Sequence, residues 1–254
     1  MICAGSSLEE AMLDSRKLAR IRRRVVANYL SEKGYAVLGK EYFAKVGHQL
    51  RYVRFCAATY LTHPAGVPVK AFDVLIALHF DFLPPFEFAV WAGAPIPSEM
   101  CSELCALQRL VRNNAGGQYY EYPKTEAAAA AMLHDIAVRA AAGLDEVGEI
   151  CGDGQRLIEL IPPEVLWADL AIFERLLQAG TIEEQNRLSA SMRIRQLVPE
   201  EWCLHVKPTL ILLGYLARYY RRADLIPAYL KIAQMDRVNA KEAPYIEDLH
   251  RRLT

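Results

Sequence analysis

The sequence predicts an α+β fold, in which an N-terminal helix and an antiparallel β-meander are followed by an all-helical C-terminal half. Three observations support this prediction. Residues 8–33 place apolar side chains at helical spacing. Residues 35–82 are rich in Val, Tyr, Phe and Thr and are interrupted by turn residues, which is typical of strands. From Thr125 onward, apolar periodicity returns together with capping signals at the predicted helix ends.

Length and composition describe an ordinary globular protein. The chain has 254 residues, 53% of them apolar and 24% charged, and its 30 basic residues balance 30 acidic ones. That length holds one large domain or two smaller ones. We divide it into residues 1–122, with the first helix and the sheet, and residues 123–254, a helical region packed against them. The balanced charge gives no overall field that would attract nucleic acid or an anionic membrane.

We infer the cellular compartment from the lack of an apparent membrane-spanning segment, secretory signal or disulfide framework. Apolar runs such as TLILLGYLA at residues 209–217 fall far short of the roughly 20 residues of a spanning helix. The first residues, MICAGSSLEEAMLDS, lack the basic and apolar regions of a secretory signal. Six cysteines without a CxxC pair argue against a disulfide framework. We therefore expect a cytoplasmic protein with reduced thiols and no membrane segment.

The sheet is predicted from three segments, at residues 35–47, 49–62 and 69–82. The dipeptide Gly47-His48 forms a short hairpin turn between the first two, and HPAGVP at residues 63–68 forms the next loop. Residues 83–99 contain four prolines, so that only FEFAVWA within them is a candidate short edge strand. Residues 103–113 fit a helix and a strand equally well.

The helical half is predicted from its start and stop signals. Thr125 or Lys124 precedes an alanine-rich helix of high intrinsic propensity, and CGDGQ at residues 151–155 interrupts the helices. Pro162-Pro163 begins the next helix, because proline is tolerated in a first turn. Thr181 has the spacing of a capping residue for a short helix. Further helical segments are predicted at residues 199–222 and 223–236.

The third predicted strand raises the question of a catalytic or metal-binding pair, because FDVLIALHFDFLPPFE (72–87) contains His79 and Asp81 two residues apart. Alternating strand residues face the same way, so both lie on a mixed face opposite an unbroken apolar one. That alternation accounts for His79 and Asp81 as residues of the less buried face, without a catalytic or metal-binding role. The rival hypothesis is a hydrolase-type enzyme, in which His79, Asp81, His48 and Glu41 converge on the mixed face.

The sharpest charge feature lies in the first helix, in the segment ARIRRRVV at residues 19–26. A nucleic-acid site would use its four arginines, which are Arg20, Arg22, Arg23 and Arg24. A helix turns by about 100° per residue, so these four fan around more than half of it. We therefore interpret the cluster as the solvated side of an amphipathic helix.

Several features of residues 20–145 follow a fixed order: Lys33-Gly34-Tyr35, Tyr42 and Phe43, RYVRFCA, FDVLIALHF, and Cys105 to Leu110. In this order and spacing the chain resembles a bacterial family known only as a domain of unknown function. Its members have an N-terminal helix, an antiparallel sheet and then helices. Where the family has a tryptophan after the Arg-Leu segment, this sequence has Tyr119 and Tyr120. The resemblance implies a fold, and it transfers no catalytic residues.

The expected function is the binding of another protein, as an immunity or accessory factor. No complete catalytic or cofactor motif is visible: the sequence has no GxSxG elbow and no phosphate-binding loop. We therefore favour a non-enzymatic role and expect neither a cofactor nor a metal ion. Small bacterial domains of this layout that look like toxin-binding immunity proteins suggest the partner class by analogy.

Our first prediction concerns metal content. The purified protein is expected to carry no stoichiometric zinc, because Cys101 and Cys105 are four residues apart and no second ligand pair follows them. Elemental analysis checks this. About one zinc per chain, lost in a Cys101→Ala or His79→Ala variant, would overturn the prediction.

Overall fold

The computed structural model describes residues 13–56, 59–62, 68–85, 119–193, 206–234 and 240–251. Its architecture is α+β, as predicted: an N-terminal helix, an antiparallel sheet and then helices. The strands are β1 (Ala36–Leu38), β2 (Glu41–Val46), β3 (Gln49–Phe55), β4 (Thr59–Thr62), β5 (Pro68–Phe80) and β6 (Tyr119–Glu121). The helices are α1 (Ser15–Glu32), α2 (Glu126–Cys151), α3 (Gln155–Leu160), α4 (Pro163–Gln178), α5 (Ile182–Ser191), α6 (Val206–Tyr219), α7 (Ile226–Ala233) and α8 (Ala243–Arg251), with a 3₁₀ helix at Ala223–Leu225.

All strand pairings in the sheet are antiparallel, in the order β1-β2-β3-β5-β4, and β6 also pairs with β5. The segment predicted as one strand at residues 35–47 is instead a hairpin, in which Gly39-Lys40 joins β1 to β2. Gly47-His48 joins β2 to β3, as predicted. Gly39 and Gly47 have φ of +66° and +59° at the first turn position, which glycine adopts without steric cost.

Strand β5 is the longest, and its alternation is the predicted one. Its second part pairs with β3 and its first part with β4. One face is fully buried, and its residues are Phe72, Val74, Ile76, Leu78 and Phe80. The neighbouring residues Leu75, Ala77 and His79 are only partly buried. The predicted apolar and mixed faces of this strand are therefore confirmed.

Helix α1 begins and ends through local hydrogen bonds. The Asp14 carboxylate accepts a hydrogen bond from the backbone N–H of Lys17 at 2.8 Å, which caps the first turn. At the other end, Gly34 has φ of +84°, and the Tyr35 N–H donates to the Leu30 carbonyl at 2.9 Å. This is the Schellman arrangement that glycine after a helix permits. The helix predicted over residues 8–33 was too long at its start, because Leu13 and Asp14 precede the first turn of α1. Residues before 13 lie outside the described residues.

Two helices cover the apolar face of the sheet, which we call the inner face. Helix α2 packs along α1 and contacts β3 and β5, while Arg22 of α1 lies over the Phe55 ring at 5.6 Å. Helix α2 of the helical half therefore lies on the inner face beside α1. A sheet of five strands is roughly 20 Å wide, about twice the diameter of one helix, so α1 alone cannot cover it.

Helix α2 is long and apolar enough, by length and composition, to cross a membrane. The core helix of a globular protein passes the same test, and half of the apolar window of α2 is buried inside this protein. Its buried residues include Leu133, Ile136 and Leu144, which belong to the hydrophobic core. Packing against α1 and the sheet therefore accounts for the apolar character of α2.

The helical half follows the predicted signals. Thr125 accepts a hydrogen bond from the Ala128 N–H at 3.1 Å, and Thr181 accepts one from the Glu184 N–H at 3.2 Å. Pro163 opens α4, as expected of a first-turn proline. One hydrophobic cluster includes buried residues of both the N-terminal and the C-terminal ranges. Residues 86–118, with the ambiguous segment and Cys101 and Cys105, lie outside the described residues.

Our second prediction concerns residues 1–122 expressed alone. The cut removes α2, so the inner face keeps only α1 as a cover and exposes a large apolar patch. The fragment is expected to self-associate, as measured by sedimentation velocity. A monomeric fragment with the same amide hydrogen-exchange protection in β3 and β5 as in the whole chain would contradict this.

Candidate functional site

The face of the sheet that points away from α1 and α2 is the candidate site, and we call it the outer face. Its side chains alternate along β2, β3 and β5 with the buried ones of the inner face, and none of them is fully buried. They are Glu41, Phe43, Lys45, Leu50, Tyr52, Arg54, Leu75, Ala77 and His79.

The centre of the outer face is apolar. Phe43 and Tyr52 stand opposite each other on β2 and β3, and their rings stack with centroids 5.9 Å apart. Tyr52 is 37% exposed, and Leu75 and Ala77 of β5 continue the apolar surface on its other side. Aromatic rings with partly buried aliphatic neighbours are the side chains enriched in protein interfaces.

Strand β1 continues the apolar surface to the edge of the sheet. It pairs with β2 and with no other strand of the described chain. Leu38 is 67% exposed and stands opposite Glu41, on the outer face. Val37 is 44% exposed, but it stands opposite the buried Tyr42 and points to the other side of the sheet. Natural sheet edges are usually protected by charges, proline or bulges, and the sequence Ala-Val-Leu of β1 contains none of these. The edge is therefore open to pairing with another chain.

Charged groups lie at both ends of the outer face. At one end, Glu41 pairs with Arg54 across β2 and β3 at 3.4 Å. At the other end, Asp81 binds Lys45 at 2.6 Å and His48 Nδ1 at 2.9 Å. The hydrogen bonds from Lys45 and His48 lower the pKa of the Asp81 carboxyl. The outer face thus has an apolar centre between two polar ends.

The four residues of the enzyme hypothesis are only partly brought together. His48 and Asp81 form a direct pair, which the Asp81 N–H reinforces by donating to the His48 carbonyl at 2.9 Å. Nearby, His79 Nε2 lies 3.0 Å from the Pro84 carbonyl oxygen, and burial lowers the pKa of the His79 imidazole. Glu41 stands at the opposite end of β2, roughly 17 Å along the strand from Val46, which precedes the Gly47-His48 turn. The predicted convergence therefore fails for Glu41.

The His48–Asp81 pair has one element of a general-base site, because a carboxylate at Nδ1 orients the ring. The His48 side chain is 68% exposed, however, and no hydroxyl or thiol of the described residues is hydrogen-bonded to it. No group of three potential metal ligands occurs among the residues that the structure describes. The pair ties the β2–β3 turn to the end of β5, which is a structural role.

The predicted arginine cluster of α1 is divided by the structure. Arg22 is partly buried and faces the sheet near Phe55. Burial raises the pKa of the Tyr42 hydroxyl, and the nearby Arg22 opposes that shift. Arg20, Arg23 and Arg24 are exposed on the other side of the helix. The four side chains therefore do not form one surface.

A buried polar network, which was not predicted from the sequence, joins the sheet to α2. The Gln49 amide donates to the carbonyls of Gly148 at 2.6 Å and Gly152 at 2.7 Å. Arg51 donates to Gln49 Oε1 and to the Asp145 carboxylate. The available signal was the alternation of QLRYVRF, which places Gln49 and Arg51 on the same face as Val53 and Phe55.

Two ionisable groups near this network stay protonated at neutral pH. Burial raises the pKa of the Tyr35 hydroxyl to about 12, although the nearby Arg51 opposes the shift. Burial also raises the pKa of the Cys151 thiol well above its usual range. A protonated thiol is a poor nucleophile, so the network stabilises the fold and supplies no reactive group.

Comparison with protein-family models, with curated proteins and with solved structures finds no match to this chain.

Our third prediction tests the network through Gly148. A Cβ on this residue would lie against the Arg51 guanidinium and 2.6 Å from Gln49 Oε1, so Gly148→Ala displaces both groups. Overpacking costs about 1–3 kcal/mol, and alanine regains roughly 1 kcal/mol in helix propensity. We expect a net loss of up to about 2 kcal/mol in the free energy of unfolding, measured by urea denaturation.

Gly180→Ala is the matched control, because a Cβ there meets no atom within 4 Å. It is expected to change the free energy of unfolding by less than about 0.5 kcal/mol. Equal stability of the two variants would contradict the packing of Gly148 against the network.

Proposed function

We propose that the protein is a cytoplasmic protein-binding module, which binds its partner through the outer face and the β1 edge. The supporting observation is the distribution of exposed apolar side chains. Of the five large apolar residues that are exposed in the described chain, Leu38 and Tyr52 lie on the outer face. Val37 and Val46 stand opposite the buried Tyr42 and Gln49 and point to the other side of the sheet. Together with the Phe43 ring, Leu38 and Tyr52 form an apolar surface bounded by charged groups, which is the pattern of a protein interface.

The class of partner that fits this surface best is a protein with an extended segment. Strand β1 offers unpaired backbone groups at the sheet edge, and an added strand would satisfy them. Side chains of that strand would then reach Leu38 and the stacked rings of Phe43 and Tyr52. An immunity or accessory factor would act in this way, by occupying a surface of the protein that it controls.

The hydrolase alternative has weaker support. Its one favourable observation is the 2.9 Å contact between His48 Nδ1 and Asp81. Catalysis would also need a nucleophile or a bound water activated by a metal, and neither the described hydroxyls nor the described carboxylates provide these beside His48.

Our fourth prediction uses Tyr52→Glu, which places a negative charge in the apolar centre of the outer face. A partner that is captured with the intact chain from the native host is then titrated by calorimetry against each variant. We expect Tyr52→Glu to weaken binding by at least about tenfold, since a central tyrosine is a typical hot spot. Partial exposure of Tyr52 means that the fold itself is expected to persist.

Ala131→Glu serves as the control, because it adds the same charge at an exposed position of α2. It is expected to bind the partner as tightly as the unchanged chain. A captured partner that binds Tyr52→Glu and Ala131→Glu equally well would refute the outer face as the binding surface.

A further inference from the structure

The side of α1 that faces away from the core carries a stripe of four exposed arginines. They are Arg16, Arg20, Arg23 and Arg24. In a helix of 3.6 residues per turn, these four positions fall within about 100° of arc and extend over roughly 12 Å of the axis. The buried residues Leu18, Ile21 and Val26 lie on the other side of the helix. We call these four residues the arginine stripe.

The charge of the arginine stripe is not neutralised within the protein. No carboxylate of the described residues forms an ion pair with any of the four side chains. Asp14 is engaged as the helix cap, and Glu32 lies on a different side of α1. The chain as a whole has no net charge, so the positive field is local to this helix. A local, uncompensated field of this kind attracts an anion.

The surroundings of the stripe decide which class of anion fits. A membrane-surface helix inserts an exposed apolar face, but the apolar face of α1 is buried in the core. Single-stranded nucleic acids need aromatic side chains on which the bases stack, whereas the residues that follow the arginines on this side of α1 are Ala27, Asn28 and Ser31. A protein partner would require an apolar centre, which the same residues do not supply.

Arginine itself favours phosphate, because its planar guanidinium binds two phosphate oxygens at once. A straight stripe of roughly 12 Å spans several phosphates of a double helix, whose charges are spaced by about 1.7 Å along the axis. We propose that the arginine stripe of α1 binds the phosphate backbone of double-helical nucleic acid without reading its sequence. This activity is separate from the outer face, because α1 packs on the opposite side of the sheet.

The test measures fluorescence anisotropy of a labelled DNA duplex titrated with the full chain at several salt concentrations. Four phosphate contacts predict a slope of about −3.6 in log K against log salt, which corresponds to a loss of affinity of about 150-fold between 50 and 200 mM salt. The double variant Arg20→Glu/Arg24→Glu is expected to weaken binding at least tenfold and to reduce the slope by about half.

The matched control is Arg175→Glu/Arg187→Glu, which changes the net charge equally at exposed positions of α4 and α5. It is expected to bind like the unchanged chain. Circular dichroism checks that each variant is folded, and Arg20→Gln/Arg24→Gln replaces the glutamate variant if that one unfolds. The proposal fails if the unchanged chain does not bind the duplex at low salt, or if both double variants lose affinity equally.

Two further probes separate the other classes of anion. Vesicles of phosphatidylcholine with phosphatidylserine test a membrane surface, and an unlabelled single strand competes with the duplex. We expect no binding to the vesicles and weaker competition by the single strand than by an unlabelled duplex. Vesicle binding without duplex binding, or tighter binding of the single strand, would overturn the proposal.

Discussion

The contact between β3 and α2 through Gln49 and Arg51 is the interaction on which the rest of the structure depends. Gln49 and Arg51 are buried, whereas the Asp145 side chain is 68% exposed. The Gln49 amide binds two carbonyls of the helix end, while Arg51 binds Gln49 and Asp145. A buried polar group that loses its partner costs about 1–3 kcal/mol, so the network stabilises one position of the helix over its alternatives. The absence of a side chain at Gly148 lets the helix approach this closely.

The position of α2 has a direct consequence for function. Because α1 and α2 together cover the inner face, the described part of the helical half leaves the outer face to other contacts. The apolar centre around Phe43 and Tyr52 and the open edge at β1 then form one continuous surface on the opposite side. The arginine stripe lies on the helix side of the protein. Two binding surfaces on opposite sides would allow a partner protein and a nucleic acid to be held at the same time.

Local patterns in the sequence predicted the fold class and most helix ends. The alternation of β5 and the capping residues Gly34 and Thr125 act through neighbours in the chain, so their consequences are visible in one segment. The hairpin at Gly39-Lys40 was missed because strand-forming residues surround a single glycine. The three-residue strand β6 is too short to show any periodicity.

The candidate site was less predictable, since it depends on contacts between distant segments. Gln49 and its partner Gly148 are 99 residues apart, and no local pattern links them. The mixed character of the outer face was predicted from the sequence. That the described helices leave this face uncovered was not predicted, because it follows from the location of α2. Similarly, only the packing of α1 shows that Arg22 faces the sheet while Arg20 and Arg24 face outward.

The most direct test of this account is hydroxyl-radical footprinting of the intact protein, which measures how fast each aromatic side chain is labelled in solution. If the outer face is open, Phe43 and Tyr52 are labelled at rates approaching that of Tyr219, which is 54% exposed. Tyr42 and Phe55, which neighbour them in the same strands but point to the inner face, are expected to be protected. Protection of Phe43 and Tyr52 equal to that of Tyr42 and Phe55 would contradict the account, because the proposed binding surface would then be covered.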